Sequence, residues 1–146
     1  MRYEFQPIQL DDGSIDWQAV LQARVAHPLN SGLISRRVEL LVDSGSTDCM
    51  LHADLLKPLG LELKRGTLSG VIGLSGLPEA QAYYHKVKLV IENHVVTVRA
   101  AFVADLCIAG ILGRRGFFDE FRVFFDAPAK PSYFEIELPP SSGVRT

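Results

Sequence analysis

The most informative stretch of this sequence is Leu40-Leu41-Val42-Asp43-Ser44-Gly45-Ser46-Thr47. Its apolar run predicts a buried strand, which ends on one carboxylate followed by a glycine and three hydroxyl-bearing residues. The glycine permits close approach of a ligand or of other backbone, and the hydroxyls can donate hydrogen bonds that fix the carboxylate oxygens. The same residues also suit an ordinary polar turn that closes a strand. The rest of the chain has to decide between a turn and a site.

Length and composition describe an ordinary globular protein. The 146 residues are enough for one domain with a real core, and 47% of them are hydrophobic and 22% charged. A net charge of -2 argues against nucleic acid or an anionic membrane as a partner. No apolar run is long enough to span a bilayer, and the N-terminal segment has no apolar signal core, so we expect a cytoplasmic location.

The two cysteines, Cys49 and Cys107, lack the spacing of metal ligands. They are typical of buried thiols in a reducing compartment, although one disulfide between them stays open.

Alternation of apolar and polar residues predicts eight or nine short strands. A short helix that ends at Gly60 is predicted by the spacing of Leu51, Leu55, Leu56 and Leu59. A second short helix is predicted for residues 114–121. The sequence therefore predicts an all-β fold, a closed or partly open small β-barrel with one or two short helices in a single domain. We expect residues 1–16 to form an N-terminal extension or edge strand, 17–138 the main domain and 139–146 a disordered tail.

Several familiar site types do not fit the spacing of the residues. The four histidines are scattered, which disfavours a zinc site. Gly73-Leu74-Ser75-Gly76-Leu77 lacks the last glycine of a serine-hydrolase elbow, and Gly110-Ile111-Leu112-Gly113-Arg114-Arg115-Gly116 has the wrong glycine spacing for a dinucleotide fingerprint. We therefore predict no metal and no cofactor.

Three segments together resemble the retropepsin-like aspartic proteases. Leu41-Val42-Asp43-Ser44-Gly45-Ser46 resembles the family's Asp-[Thr/Ser]-Gly active-site loop, and Ile111-Leu112-Gly113-Arg114 resembles its second signature, two apolar residues and a glycine before a short helix. The glycine-rich residues Gly73, Leu74, Ser75 and Gly76 lie where the family has its flap, a hairpin that closes over substrate. The segments occur in the family's order within about one hundred residues, the scale of one domain.

The resemblance implies a β-barrel of the acid-protease type and an aspartic endopeptidase that needs no cofactor. Aspartic proteases are the standard example of two carboxylates that share one proton. This chain offers one such residue, Asp43, so the resemblance implies a homodimer acting on peptide or protein substrates at acidic pH. By similarity, Ser44 bonds across the interface, Ser46 donates to the outer oxygen of the Asp43 carboxylate, and Leu112 and Gly113 pack beneath the loop.

The sequence leaves three features of the domain undefined. Residues 1–16 and the chain beyond Asp126 match no minimal viral protease, so the strands that seal the dimer are undefined. An apolar face is formed by Phe134, Ile136 and Leu138. Two roles are open to this face, the dimer interface and the hydrophobic core. Asp48 and Arg114 are candidates for an ion pair near the site, with two solvated charges as the alternative.

Two other functions remain as alternatives. Asp43-Ser44-Gly45-Ser46-Thr47 also resembles the phosphate loop of actin-like ATPases and sugar kinases, but that fold needs two α/β domains and far more chain. A non-catalytic module of retropepsin fold, which only binds peptides or dimerises, shares every predicted fold feature.

Overall fold

The computed structural model describes residues 1–72 and 80–138 of the chain. The predicted tail, residues 139–146, lies outside them. Within the described residues there are two short 3-10 helices, Ala53–Leu59 and Leu63–Arg65. The twelve strands of the same residues are β1 (Arg2–Glu4), β2 (Gln6–Gln9), β3 (Ile15–Gln18), β4 (Val20–Ala26), β5 (Val38–Val42), β6 (Met50–His52), β7 (Thr67–Ile72), β8 (Ala80–Ile91), β9 (His94–Val103), β10 (Gly110–Leu112), β11 (Arg122–Asp126) and β12 (Tyr133–Glu137).

Six of these strands close a barrel. They follow the order β4-β5-β10-β6-β9-β8, and the ring is complete because β8 also pairs with β4, while β7 extends the sheet beyond β8. Alternate residues of the strands point inward and lose their contact with water, among them Leu21, Leu40, Leu89 and Phe102. One core cluster runs from Ala19 to Ile136, so the predicted all-β, single-domain barrel is confirmed.

Two parallel pairings inside the barrel bring distant parts of the chain together. β10 runs parallel to β5, with Ile111 opposite Leu41 and Leu112 opposite Val42. β6 runs parallel to β9 in the same way. Parallel neighbours end at the same edge of a sheet, so the residues that follow β5 and β10 emerge side by side.

The last strand contributes to the core rather than to a free apolar face. β12 lies between β1 and β11 in a separate antiparallel sheet. The side chains of Phe134 and Ile136 are buried in the barrel core, whereas Leu138 stays 43% exposed. Of the two roles that the sequence left open for this face, the structure therefore gives Phe134 and Ile136 the core.

One predicted helix is present and the other is not. Residues 53–59 form a 3-10 helix that ends at Gly60, whose φ of 69° is the left-handed geometry of a glycine cap. Residues 114–121 form consecutive turns instead of the predicted helix. Gly116 has a φ of 104°, outside the helical region, and Phe118 and Asp119 donate to carbonyls five residues earlier, those of Gly113 and Arg114.

The N-terminal hairpin leaves the barrel beside Asp43. The alternation of apolar residues from Trp17 to Val25 predicts one continuous strand, but the chain is divided at Ala19, where β3 turns away to pair with β2. Trp17 was expected on the buried face, but it is 58% exposed because β3 lies outside the ring of barrel strands. The Ala19 carbonyl accepts the N–H of Val42 at 2.9 Å, so the base of the hairpin adjoins the residue before Asp43.

No helix among the described residues is long and apolar enough to cross a membrane.

Candidate active site

Asp43 lies one residue beyond the end of β5, at the edge where β5 and β10 end together. Its N–H donates to the carbonyl of Leu112 at 3.1 Å, and its own carbonyl accepts the N–H of Ser46 at 3.2 Å. The residue is half-buried. Its backbone is therefore held from both sides by hydrogen bonds, which limits how far the carboxylate can move.

Gly45 is matched to the Asp43 carboxylate. Its N–H donates to Asp43 Oδ1 at 2.8 Å, a hydrogen bond to a charged acceptor that is stronger than one between neutral groups. A Cβ atom at position 45 would lie 3.0 Å from the same oxygen. A side chain at position 45 would press on the carboxylate, so the available space favours glycine here.

Within a single chain the hydroxyl of Ser46 and the carbonyl of Ser44 make contacts inside the site, and the roles that the resemblance implies for these two serines in a dimer stay predictions. Ser46 Oγ donates to the carbonyl of Asp48 at 2.7 Å, so in a single chain this hydroxyl braces the loop and is not directed at the Asp43 carboxylate. Ser44 is exposed, and its carbonyl accepts a hydrogen bond from Arg114.

Gly113 lets the Asp43 loop come into direct contact with the second segment, Ile111 to Arg114. A Cβ atom at this position would lie 2.2 Å from the carbonyl oxygen of Asp48 and 2.8 Å from that of Ser46. Both distances are far below van der Waals contact, and both involve backbone atoms that cannot rotate away. Ile111 and Leu112, the residues before Gly113, are paired with β5. All four residues of the second segment therefore lie in or against the Asp43 loop.

Arg114 binds the loop at three points. Its N–H donates to the Ser46 carbonyl at 2.9 Å, and its guanidinium reaches the Ser44 carbonyl at 3.0 Å and Thr47 Oγ1 at 3.1 Å. The anticipated ion pair with Asp48 is formed by its neighbour Arg115 instead, whose Nε lies 3.8 Å from Asp48 Oδ1. Since Arg115 is largely exposed, this pair contributes little to stability.

Two further residues near the loop, Tyr84 and Arg99, have no signature in the sequence. Tyr84 of β8 donates its hydroxyl to Asp48 Oδ2 at 2.6 Å. The guanidinium of Arg99 on β9 lies 3.9 Å from the centre of the Tyr84 ring. The contact depends on the register of three strands, and no spacing within the sequence signals it.

An apolar row crosses the sheet on the same face as Asp43. Alternation along β5 turns Leu41 and Asp43 away from the core residues Leu40 and Val42. The row consists of successive cross-strand neighbours, which are Leu41, Ile111, Met50, Ala101 and Tyr84. Most of it belongs to a second apolar cluster, separate from the barrel core.

Cys49 packs against the second segment as a buried thiol. Its Sγ lies 3.5 Å from the Arg115 carbonyl, and burial raises its pKa to about 11. A thiol in this state is a poor nucleophile at neutral pH. Cys107 was also expected to be buried, but it is exposed, and both cysteines are free.

The candidate flap residues Gly73, Leu74, Ser75 and Gly76 lie outside the described residues. Among the residues that the structure describes, no group of three or more His, Cys, Asp or Glu side chains is arranged to hold a metal ion. Asp43 thus presents its carboxylate on a braced loop, next to an apolar surface. One such carboxylate can take or give one proton, and a water attack that needs both a base and an acid requires a second group.

Comparisons with known proteins agree with this geometry. The profile of a family described as aspartyl protease matches residues 29–115, which is more than half of the chain and includes Asp43 and Gly113. A solved retropepsin-like aspartic protease from Rickettsia conorii is similar in fold, with a TM-score of 0.56 and 18% identity over 92% of this chain and 90% of that one.

The EIAV protease complexed with the inhibitor HBY-793 is more distantly similar. Its TM-score is 0.46, with 16% identity over 66% of this chain and 82% of that chain. A comparison with curated protein sequences gave no match.

Proposed function

This chain belongs to the aspartyl protease family, and we propose that it is an aspartic endopeptidase in which two copies of the chain each supply one Asp43. The observation that carries the proposal is the loop itself. Asp43 ends a barrel strand, Gly45 donates to its carboxylate, and Gly113 of the parallel strand β10 brings the second segment against the loop. A turn that merely closed a strand would not need this close packing of two segments.

The proposed reaction uses the two carboxylates in different protonation states. The ionised Asp43 takes a proton from water as the water oxygen attacks the peptide carbonyl carbon. The protonated Asp43 of the second copy gives its proton to the carbonyl oxygen. The intermediate then collapses, the C–N bond breaks, and the departing nitrogen takes a proton from the pair. One water is consumed for each peptide bond hydrolysed, and no cofactor is involved.

The apolar row next to Asp43 supports a polypeptide as the substrate. Leu41, Ile111 and Met50 lie side by side on the face to which Asp43 belongs. An extended peptide that lies across this face can place apolar side chains against the row, where each buried CH₂ contributes about 0.8 kcal/mol. We therefore expect cleavage next to apolar residues.

The phosphate-loop alternative depends on two α/β domains with crossover helices. The described residues form a β-barrel with only short 3-10 helices, so that fold is excluded for them. The non-catalytic module remains the other outcome of the test below.

The test is cleavage of an unfolded protein substrate, measured across the acidic and neutral pH range with and without a statine-type inhibitor. We expect cleavage that is fastest at acidic pH and is blocked by the inhibitor, because the inhibitor imitates the tetrahedral intermediate. ATP hydrolysis is measured in parallel and should be absent. A protein that is folded and dimeric but cleaves nothing at any of these pH values would instead be a non-catalytic binding module.

The dimer itself gives a separate prediction. Trp17 and Ile15 are exposed by 58% and 60% on the hairpin whose base adjoins Val42, the residue before Asp43. A two-fold axis close to Asp43 would bury this apolar face between two copies, so Trp17→Ser should weaken dimerisation roughly tenfold or more, since tryptophan is a common interface hot spot. Sedimentation at micromolar concentration measures the change. Phe124→Ser, which removes an aromatic side chain of equal exposure, 57%, on β11, is the matched control. Loss of dimer in the Phe124 variant alone would locate the interface at β11.

A further inference from the structure

The contact between Asp48 and Tyr84 has no role in the reaction described above. We propose that Tyr84 is a positioning residue for the Asp43 loop: its hydroxyl anchors Asp48, and Asp48 holds the loop through Ser46. The effect on catalysis rests on the proposed function, whereas the anchoring of the loop can be measured without any substrate.

The first link is a hydrogen bond to a charged acceptor with little access to water. Tyr84 Oη donates to Asp48 Oδ2 at 2.6 Å, and the Asp48 side chain is only 17% exposed. Hydrogen bonds to ionised groups are roughly twice as strong as neutral ones, and low exposure reduces their competition with water. Arg115, the other partner of this carboxylate, is 3.8 Å away and largely exposed, so it is the weaker restraint.

The second link runs through the backbone of Asp48 to Asp43. The Asp48 carbonyl accepts the Ser46 hydroxyl at 2.7 Å and lies directly over Gly113. The Ser46 N–H in turn donates to the Asp43 carbonyl at 3.2 Å. A displacement of Asp48 is therefore passed to Ser46, and from Ser46 to the backbone of Asp43.

Tyr84 is a suitable anchor because its own position is fixed. It lies in the middle of β8, paired with Thr67 on one side and Ala101 on the other. Arg99 stacks on its ring at 3.9 Å. Loops are held precisely when they are attached to such rigid strands, and the Tyr84 hydroxyl is the group that attaches this loop to β8.

The titration of the Tyr84 phenol provides a direct test of the bond. The hydrogen bond to Asp48 and then burial raise the pKa of Tyr84, while Ser69 and Arg99 act in the opposite direction. A raised pKa means that the bond stabilises the folded protein below the ordinary phenol pKa of about 10 and that this contribution is lost as the pH rises through the raised value. The difference in melting temperature between wild type and Tyr84→Phe should therefore be largest near neutral pH and shrink at strongly alkaline pH.

The decisive experiment compares Tyr84→Phe with Tyr83→Phe in the full chain. Phenylalanine keeps the ring over which Arg99 lies and removes only the hydroxyl. Tyr83 is the neighbouring control, and its hydroxyl makes one long contact, 3.4 Å, to Gln81. Amide hydrogen exchange of Gly45, Ser46 and Arg114 should accelerate roughly tenfold in Tyr84→Phe alone, the effect expected from the loss of one charge-assisted hydrogen bond. Asp48→Asn, which keeps an acceptor oxygen, should give a smaller acceleration than Asp48→Ala.

In an active preparation, kcat of Tyr84→Phe should fall roughly tenfold while KM changes by less than about twofold, because positioning acts on the reacting group more than on substrate binding. The proposal would be overturned if amide exchange at Gly45, Ser46 and Arg114 were unchanged in Tyr84→Phe. It would also be overturned if the exchange accelerated equally in Tyr83→Phe. A wild-type protein without activity would contradict the proposed function, but the exchange measurement would still decide the role of Tyr84.

Discussion

Replacement of Asp43 by asparagine should abolish peptide hydrolysis while the folded dimer remains. Asparagine is nearly isosteric with aspartate, and its Oδ1 can still accept the Gly45 N–H that Asp43 Oδ1 accepts at 2.8 Å. The shape of the loop is therefore preserved. An amide cannot take a proton from water, so kcat should fall below detection, by at least the roughly 10²- to 10⁴-fold that general acid–base catalysis supplies.

The pH dependence follows from the charges of the pair. Two carboxylates within a hydrogen bond of each other share one proton and titrate in two coupled steps. Activity should fall at low pH, where both are protonated, and again toward alkaline pH, where the shared proton and with it the general acid are lost. In the Asp43→Asn variant the acidic and the alkaline limbs of the pH–rate profile should disappear together. Because the amides carry no charge, the proposed dimer of the variant should be equally or more stable at the higher pH where the wild-type pair loses its shared proton and the two carboxylates repel each other.

The measurement is a pH–rate profile on an unfolded protein substrate, together with thermal melting of both forms. Asp105→Asn is the control, because Asp105 is an exposed aspartate in the loop that follows β9. If Asp43→Asn cleaved the substrate as fast as wild type, the observed proteolysis would have to come from another site or another protein.

The sequence predicted those parts of the site that depend on a strand and the residue after it. Val38, Leu40 and Val42 alternate as a half-buried strand should, and the strand ends where the pattern does. The residues before Gly113 are apolar without alternation, and the last three of them form the short strand β10. These local patterns were enough to predict an all-β barrel, because burial on one face imposes a period of two that is visible in the residues. Asp43 was singled out by the resemblance of its loop to a family motif and not by this periodicity.

The parts that could not be predicted depend on contacts between distant strands or on backbone detail. The bond from Tyr84 to Asp48 requires β8, β9 and β6 to be in one register, and nothing in the residues near either partner signals it. Residues 114–121 contain enough apolar side chains for a helix. The positive φ of Gly116 and the bonds from Arg114 and Arg115 to the loop favour turns over that helix. Tertiary contacts outweighed local propensity there.

Replacement of Gly113 by alanine should damage both stability and activity, since its cost is one of space and not of backbone conformation. The new Cβ would lie 2.2 Å from the Asp48 carbonyl oxygen, and the contact could be relieved only by moving β10 or the Asp43 loop. Overpacking of this kind typically costs about 1–3 kcal/mol. For a chain of this length, that cost lowers the melting temperature by roughly 2–12 °C.

The effect on catalysis should exceed the effect on folding. Movement of β10 away from the loop lengthens the bonds from the Asp43 N–H to Leu112 and from the Arg114 N–H to Ser46, now 3.1 and 2.9 Å. A shift of this order misplaces the carboxylate, and a displacement of about 1 Å can cost roughly 10²-fold in rate. Gly32→Ala is the matched control, because a Cβ there would meet only the flexible Asn30 side chain, at 3.2 Å. Thermal melting and kcat of the two variants provide the comparison. If Gly113→Ala matched Gly32→Ala in melting temperature and in kcat, the close approach of β10 would not be what holds Asp43 in place.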